Sequence, residues 1–173
     1  MKILIAFFTR TGNTRKVAEA IHAALPGETE LAPLESVETL EGYDLVFIGF
    51  PVMQFGPPAV VRNFINVKAA GRKIALFVTH AMISGSNDPQ QELMLSKELE
   101  KCRLAARDAD LVGFFHCRGE LSEEMAAELN ASKIPMLMEF ASLRPLTLGH
   151  PTEEERMEAA RFAASLAGPA APR

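Results

Sequence analysis

The chain has 173 residues, 48% apolar and 23% charged, with a formal net charge of −4. This composition suits one globular domain with a real core, which we assign to residues 1–167. The distribution of charge argues against nucleic-acid binding, which needs a clustered basic footprint, and no apolar run approaches the ~20 residues that cross a membrane. Two cysteines without C-x-x-C spacing, and no recognisable leader, predict a cytoplasmic protein.

Five apolar runs along the chain predict β-strands. Four are almost continuously apolar, as expected for parallel strands that helices cover on both faces. The second alternates between apolar and polar residues, so we place it at an edge of the sheet. The five predicted strands are Lys2–Phe8, Thr29–Leu34, Leu45–Phe50, Lys73–Thr79 and Leu111–Cys117.

Helix-period segments separate these runs. Val17, Ala18, Ile21 and Leu25 form one apolar stripe after the first strand. The alternation of strand and helix predicts a doubly wound α/β fold with right-handed crossovers. The other predicted helix starts are Pro57-Pro58, an Asp88 cap before Pro89, a Ser122 cap, and a capping box of Thr152 and Glu155.

Residues 119–149 do not fit the strand-helix repeat, and we treat them as an extra segment of the domain. The segment contains a short predicted helix and then the apolar stretch Ile134–Phe140. Met136 and Met138 within that stretch are candidates for an exposed contact patch, although the oligomeric state stays open. Residues 168–173 contain Gly, Pro, Ala and Arg and predict a flexible tail.

The loop after the first strand carries the strongest functional signal. It reads Thr9-Arg10-Thr11-Gly12-Asn13-Thr14 and runs directly into the first helix. A helix N-terminus directs free amide groups and positive potential at one point, which suits a phosphate. Threonine hydroxyls and the asparagine amide add donors, and Gly12 permits an unusual turn. The bland alternative is a capped strand-to-helix turn without a ligand.

This loop resembles the T/S-x-T-G-N-T phosphate loop of flavodoxins and flavodoxin-like FMN proteins. The resemblance extends from Met1 to about Cys117 and resumes over Thr152–Leu166. It implies a five-stranded parallel sheet in the order 2-1-3-4-5 and FMN as the cofactor. In that order the first and third strands flank the switch point where the cofactor binds.

The loop after the third strand is the second part of the implied site. Its Gly-x-Pro sequence looks like the family segment beside the isoalloxazine ring, with backbone groups near the polar edge of the ring. The alternative for this loop is that Gly and Pro only make a strand-to-helix connection. The residues assigned to the cofactor are Pro51, Val52, Met53, Gln54, Phe55 and Gly56.

The loop after the fourth strand supplies the other wall of the implied site. Thr79, His80, Ala81, Met82 and Gly85 are assigned to cofactor contact, although Met82 also suits a plug in the core. The chain has no Trp and one Tyr, so it lacks the aromatic sandwich that many flavodoxins place around the ring. Methionine, phenylalanine or histidine would then have to pack on the flavin.

Three functions follow from these features. The first is an FMN protein that carries electrons between a reductase and an acceptor protein. The second is an FMN-dependent NAD(P)H reductase of a quinone or another small acceptor, with His80 and Arg10 in contact with substrate. The third is a cofactor-free interaction domain that binds through residues 119–149. No side chain is assigned a catalytic role, and no metal site is signalled.

Partner proteins are expected to dock on an acidic side of the molecule. Seven acidic residues and no Lys or Arg lie between Val17 and Val61, which suits a basic redox partner near the flavin. A solvated acidic face that keeps the protein soluble explains the same pattern. The acidic residues are Glu19, Glu28, Glu30, Glu35, Glu38, Glu41 and Asp44.

Overall fold

A computed structural model describes residues 1–82 and 89–168. Its strands and α-helices alternate from the N-terminus to the fifth strand, except that only a 3-10 turn, Leu34–Ser36, stands between the second and third strands; three α-helices follow the fifth strand. The strands are β1 (Lys2–Phe7), β2 (Glu28–Pro33), β3 (Leu45–Pro51), β4 (Lys73–His80) and β5 (Asp110–Arg118). The helices are α1 (Asn13–Ala24), α2 (Ala59–Lys68), α3 (Pro89–Leu104), α4 (Glu123–Ala131), α5 (Pro135–Ser142) and α6 (Glu153–Ala167).

The five strands form one parallel sheet in the order β2-β1-β3-β4-β5, which confirms the predicted fold. The central strand β3 is buried along almost its whole length, whereas β2 at the edge alternates between exposed residues and half-buried or buried ones. This difference explains why the second run alone alternates in the sequence, because only a strand with one face toward solvent needs polar residues at every second position.

Two hydrophobic layers cover the sheet. Leu4, Ile48 and Leu76 point to the side covered by α2 and α3. Ile5 and Phe47, with their neighbours on β4, point to the side covered by α1 and α6. Successive strand residues face opposite sides, so a strand buried on both faces must be apolar at every position.

Gly49 of β3 is needed for packing within the second layer. A Cβ atom built on Gly49 would lie 2.0 Å from the ring of Phe77 on the adjacent strand β4. That distance is far inside van der Waals contact, so the Phe77 ring occupies the space that a side chain at position 49 would fill.

The predicted helix starts agree with the described structure where it covers them. α2 begins directly after Pro58, and Ser122 caps α4 through its side chain, which accepts a hydrogen bond from the Met125 amide. Thr152 and Glu155 form the predicted capping box of α6. The predicted Asp88 cap lies outside the described residues, as does the predicted tail apart from Gly168.

Residues 119–149 fold into α4, α5 and a short 3-10 turn, Arg144–Thr147. Leu121, Ala126 and Ala141 form a small core of their own, against which Ala81 of the β4 loop packs. Within residues 1–82 and 89–168, no helix is long and apolar enough to cross a membrane.

Candidate cofactor site

A cleft opens at the carboxyl ends of the strands, where the loops after β1, β3, β4 and β5 meet. This edge is the usual binding position in open α/β sheets. The cleft is lined by Thr9, Arg10, Thr11, Asn13, Thr14, Pro51, Val52, Met53, Thr79, His80, Ala81, Gly119, Glu120, Leu121, Ser122 and Met125.

The loop after β1 presents backbone donors to this cleft. Gly12 has φ +90 and open space on the side where a Cβ would stand, so the turn uses the conformation that glycine permits. The Gly12 amide donates to the Thr9 hydroxyl over 3.0 Å, and the first helical hydrogen bond joins the Lys16 amide to the Gly12 carbonyl over 3.1 Å. Among the described residues, no side chain caps α1. Its first-turn amides therefore suit a phosphate.

Thr14 has a different environment from the other threonines of the loop. Its side chain is fully buried, and its hydroxyl lies 2.9 Å from the hydroxyl of Thr79. One hydroxyl donates to the other, so this pair ties the start of α1 to the end of β4. Thr9, Arg10 and Thr11 are more accessible and line the open part of the cleft.

Asn13 binds to the protein through its side-chain amide. Its Nδ2 donates to the carbonyl of Glu120 over 2.8 Å and to the Thr11 hydroxyl over 3.2 Å. These two contacts use both hydrogen atoms of the amide nitrogen. The backbone amide of Asn13 remains in the first turn of α1, with the other amides that suit a phosphate.

The loop after β3 forms a tight turn at its tip. Met53 and Gly56 exchange backbone hydrogen bonds of 2.8 and 3.2 Å, and the two residues between them have positive φ angles of 50 and 63. Non-glycine residues adopt such angles at an energetic cost. Pro51, Val52 and Met53 line the cleft.

The remaining predicted residues of this loop occupy other positions. Gln54 and Phe55 are exposed at the tip of the turn, and Gly56 is buried beside the Lys101 side chain of α3. Lys101 Nζ also donates to the Phe55 carbonyl over 3.1 Å, which holds the tip against α3.

His80, at the end of β4, is 3% exposed and forms a pair with His116 of β5. Its Nδ1 lies 3.2 Å from the Met82 carbonyl, and its Nε2 lies 3.1 Å from Nδ1 of His116. A carbonyl only accepts, so we assign the proton of His80 to Nδ1; Nε2 then accepts from His116. Burial, reinforced by His116, lowers the pKa of His80 to about 3. Burial also lowers the pKa of His116.

The other residues predicted after β4 do not all lie in the cleft. Thr79 and Ala81 line the cleft, and Met82 packs in the core beneath α2 and α3, which was the open alternative for it. Gly85 lies outside the described residues.

Residues after β5 line the cleft although the sequence did not predict them there. Gly119, Glu120, Leu121, Ser122 and Met125 form this wall. The available signal was positional, because Gly119 follows the fifth strand at the same edge of the sheet as the other three loops. The Glu120 carboxylate accepts from the Gly149 amide over 3.1 Å and lies 3.8 Å from Arg144, so its charge is compensated.

Comparisons with known proteins agree with this architecture. A family model described as a flavodoxin domain matches residues 4–164. The flavodoxin-like domain-containing protein BilS of Clostridioides difficile (strain CD3) is 24% identical, with 96% of each chain covered.

Two solved structures share the fold over 96% of each chain. A flavodoxin from the domain Archaea has a TM-score of 0.56 at 15% identity. A WrbA-like flavodoxin from Agrobacterium tumefaciens has a TM-score of 0.53 at 17% identity. At these identities the likeness shows the fold alone, and the family match carries the assignment. The chain belongs to the flavodoxin family of flavoproteins, whose cofactor is FMN, and the donors at the start of α1 fit the phosphate of that cofactor.

Proposed function

We propose that the protein carries electrons through FMN between a reductase and an acceptor protein. The observation that favours a carrier over a reductase is the environment of His80. A reductase that used His80 on its substrate would need a free imidazole nitrogen in the cleft. Both nitrogens of His80 are instead occupied within the protein, and the low pKa keeps the ring neutral at pH 7.

The cofactor position that we propose follows the donors and the apolar residues of the cleft. The phosphate lies at the first turn of α1, where Thr9 and Thr11 add hydroxyl donors and Arg10 adds a positive charge. The ring lies toward Met53 and Ala81, which line the cleft next to the point between β1 and β3 where the sheet order reverses. Bound FMN supplies the redox chemistry, while these residues bind it, orient it and restrict water.

The partner surface that we propose is the acidic end of the molecule around the cleft. Two acids of the block predicted for docking lie elsewhere: Glu28 pairs with Lys2 over 3.3 Å, and Asp44 lies 4.0 Å from the N-terminal amine. Both pairs stand at the amino ends of β1 and its neighbours, opposite the cleft. Exposed acids at the cleft end come from the first turns of α4 and α6: Glu123, Glu124, Glu153 and Glu154.

These two helix starts are close to the cleft. α4 follows Ser122, which lines the cleft, and α6 follows His150, whose carbonyl accepts from the Glu120 amide over 3.0 Å. Their carboxylates give a negative rim that attracts a basic redox partner and accelerates its encounter at low salt. The cytoplasm remains the compartment we propose, supported by the two free cysteines Cys102 and Cys117.

An anaerobic reduction experiment tests this function. The FMN-loaded protein is mixed with NADH or NADPH, and the flavin absorbance near ~450 nm is followed before and after a flavodoxin reductase is added. A carrier keeps its absorbance with NAD(P)H alone and loses it when the reductase is present. Rapid loss of absorbance with NAD(P)H alone would make the protein a reductase, and failure to retain FMN would support the cofactor-free domain.

A further inference from the structure

The residues that follow β5 cross from the end of that strand to the phosphate loop. β5 lies at one edge of the sheet, separated from β1 by the two strands β3 and β4. Residues 119–125, which we call the strap, nevertheless reach Asn13 at the start of α1 and line the cleft on the way. The strap thus joins the far edge of the sheet to the loop that presents phosphate donors.

The strap is held in a fixed shape by its own contacts. The Glu120 amide donates to the His150 carbonyl over 3.0 Å, and the Leu121 amide donates to the Thr147 hydroxyl over 3.0 Å. Thr147 is fully buried, and Leu121 packs in the small core with Ala126 and Ala141. These contacts anchor the strap to α4, α5 and the turn before α6, so it presents a formed surface to the cleft.

One side chain connects this surface to the phosphate loop. Asn13 Nδ2 donates to the Glu120 carbonyl over 2.8 Å, across 107 positions of the chain. The backbone of Gly119 approaches Asn13 so closely that an added Cβ would lie 2.9 Å from Nδ2 and 3.2 Å from the Asn13 Cβ. A side chain at position 119 must therefore displace the Asn13 side chain or move the strap away from the loop.

Apolar side chains of the strap extend this contact along the cleft. Leu121 is buried at the root of the strap, and Met125 of α4 is half-buried with its surface on the cleft. The thioether of Met125 is polarizable and adapts to an aromatic ring, which matters in a chain without tryptophan.

We propose that the strap is part of the FMN site and retains the cofactor, with Asn13 as the positioning residue that closes the strap onto the phosphate loop. The inference rests on the proposed FMN site and extends it to residues beyond the loops after β1, β3 and β4. In this arrangement the side chain of Asn13 acts on the strap, and the backbone of the same loop acts on the phosphate.

FMN dissociation from the loaded protein tests the inference, with the recovery of free-flavin fluorescence as the readout. Asn13→Ala removes the hydrogen bond to Glu120 and is expected to accelerate dissociation about three- to tenfold. Gly119→Ala keeps every donor of the phosphate loop and is expected to accelerate dissociation at least as much. Asn130→Ala, the same change at an exposed position of α4, is the matched control and keeps the wild-type rate.

Hydrogen exchange gives a second readout that a direct phosphate contact would not move. Backbone amides of residues 119–122 are expected to exchange faster in Asn13→Ala and Gly119→Ala, with or without FMN. The combined variant is expected to fall short of the product of the two effects, because both changes open the same contact. Should Gly119→Ala not fold, Met125→Ala takes its place, with Met157→Ala on the exposed side of α6 as control.

Three outcomes are decisive. Faster FMN release from the strap variants together with faster exchange at residues 119–122 supports the inference. Faster release from Asn13→Ala alone, with Gly119→Ala or Met125→Ala at the wild-type rate, overturns it and assigns Asn13 to the phosphate itself. Absence of FMN binding in the wild-type protein would instead contradict the proposed function.

Discussion

In the proposed site, the loop after β1 forms the phosphate end of the cleft, and the loops after β3 and β4 form the ring end. The two ends follow neighbouring strands, yet they are built by different means. At the phosphate end, Gly12 supplies the positive φ and the donors are backbone amides fixed by α1. At the ring end, Gln54 and Phe55 adopt positive φ angles without glycine, and Lys101 of α3 holds the turn. Local sequence is sufficient for the first arrangement, whereas the second depends on contacts with a distant helix.

The largest expected effect is a loss of FMN affinity when the backbone at Gly12 is disturbed. A matched variant separates this loss from a general loss of stability. Gly12→Val places a β-branched residue at φ +90. The loop must distort to relieve this strain, and we expect the distortion to cost about 2 kcal/mol or more of FMN binding free energy. Gly42→Val is a matched control, because Gly42 has φ +82, open space around it and no place on the cleft. Calorimetric titration with FMN should show lost affinity for Gly12→Val only, although both variants unfold at lower denaturant.

At the ring end, the His80–His116 pair is expected to make stability depend on pH. The folded-state pKa of about 3 lies below the unfolded value of about 6.5, so the unfolded chain binds more protons between them and stability falls as the solution is acidified through that range. From pH 7 to pH 5 this contributes a loss of about 2 kcal/mol.

Denaturant unfolding at pH 7 and pH 5 measures this contribution as the difference between wild type and His80→Gln. The variant should lose less stability on acidification, whereas His22→Gln, which leaves the pair intact, should follow the wild type. If His80→Gln and the wild type lose the same stability between pH 7 and pH 5, the pKa of His80 is not lowered in the folded protein.

A smaller effect is expected where the two ends are joined by Thr14 and Thr79. Thr14→Val leaves the buried Thr79 hydroxyl without its partner, at a cost of about 1.5 kcal/mol in unfolding free energy. The double variant Thr14→Val/Thr79→Val should recover most of this loss, because both partners are then apolar. Loss of FMN affinity without loss of stability would instead place Thr14 among the phosphate donors.

The smallest expected effect concerns the strain of the ring-end turn. Gln54→Gly removes a side chain from φ 50 and should raise the unfolding free energy by about 0.5 to 1 kcal/mol, after the greater freedom of glycine in the unfolded chain is counted. Gln91→Gly makes the same substitution in the helical backbone of α3 and should lower it by about 1 kcal/mol. Urea unfolding of the two variants in parallel shows whether the changes in unfolding free energy have opposite signs.

The sheet was predictable because each buried strand is marked by its own apolar run in the sequence, and this pattern recurs along the chain. Leu45–Phe50 was predicted as a strand and β3 extends one residue further, to Pro51, since burial on both faces demands an unbroken apolar run. The second strand shifted by one residue: Leu34, predicted as its end, begins a 3-10 turn. Boundaries of this kind depend on hydrogen bonds that alternation in the sequence does not encode.

The parts of the site that were not predicted depend on long-range contacts. His80 and His116 are 36 positions apart, and their pairing requires that β4 and β5 be neighbours in register. Asn13 and Glu120 are 107 positions apart and meet only because the strap crosses two strands. Thr14 was expected to donate to phosphate on the strength of its motif, but nothing in that motif indicates that Thr79 lies beside it.

Gly49 and Phe77 share a single volume between adjacent strands, and this has a consequence for how the protein can change. Neither position can be altered alone, because a larger residue at 49 meets the ring and a smaller residue at 77 leaves a hole beside a glycine. The pair should therefore change together among related chains. For protein engineering, redesign of the loop after β3 should keep Gly49 and Phe77 as a fixed boundary, with variation beginning at Pro51.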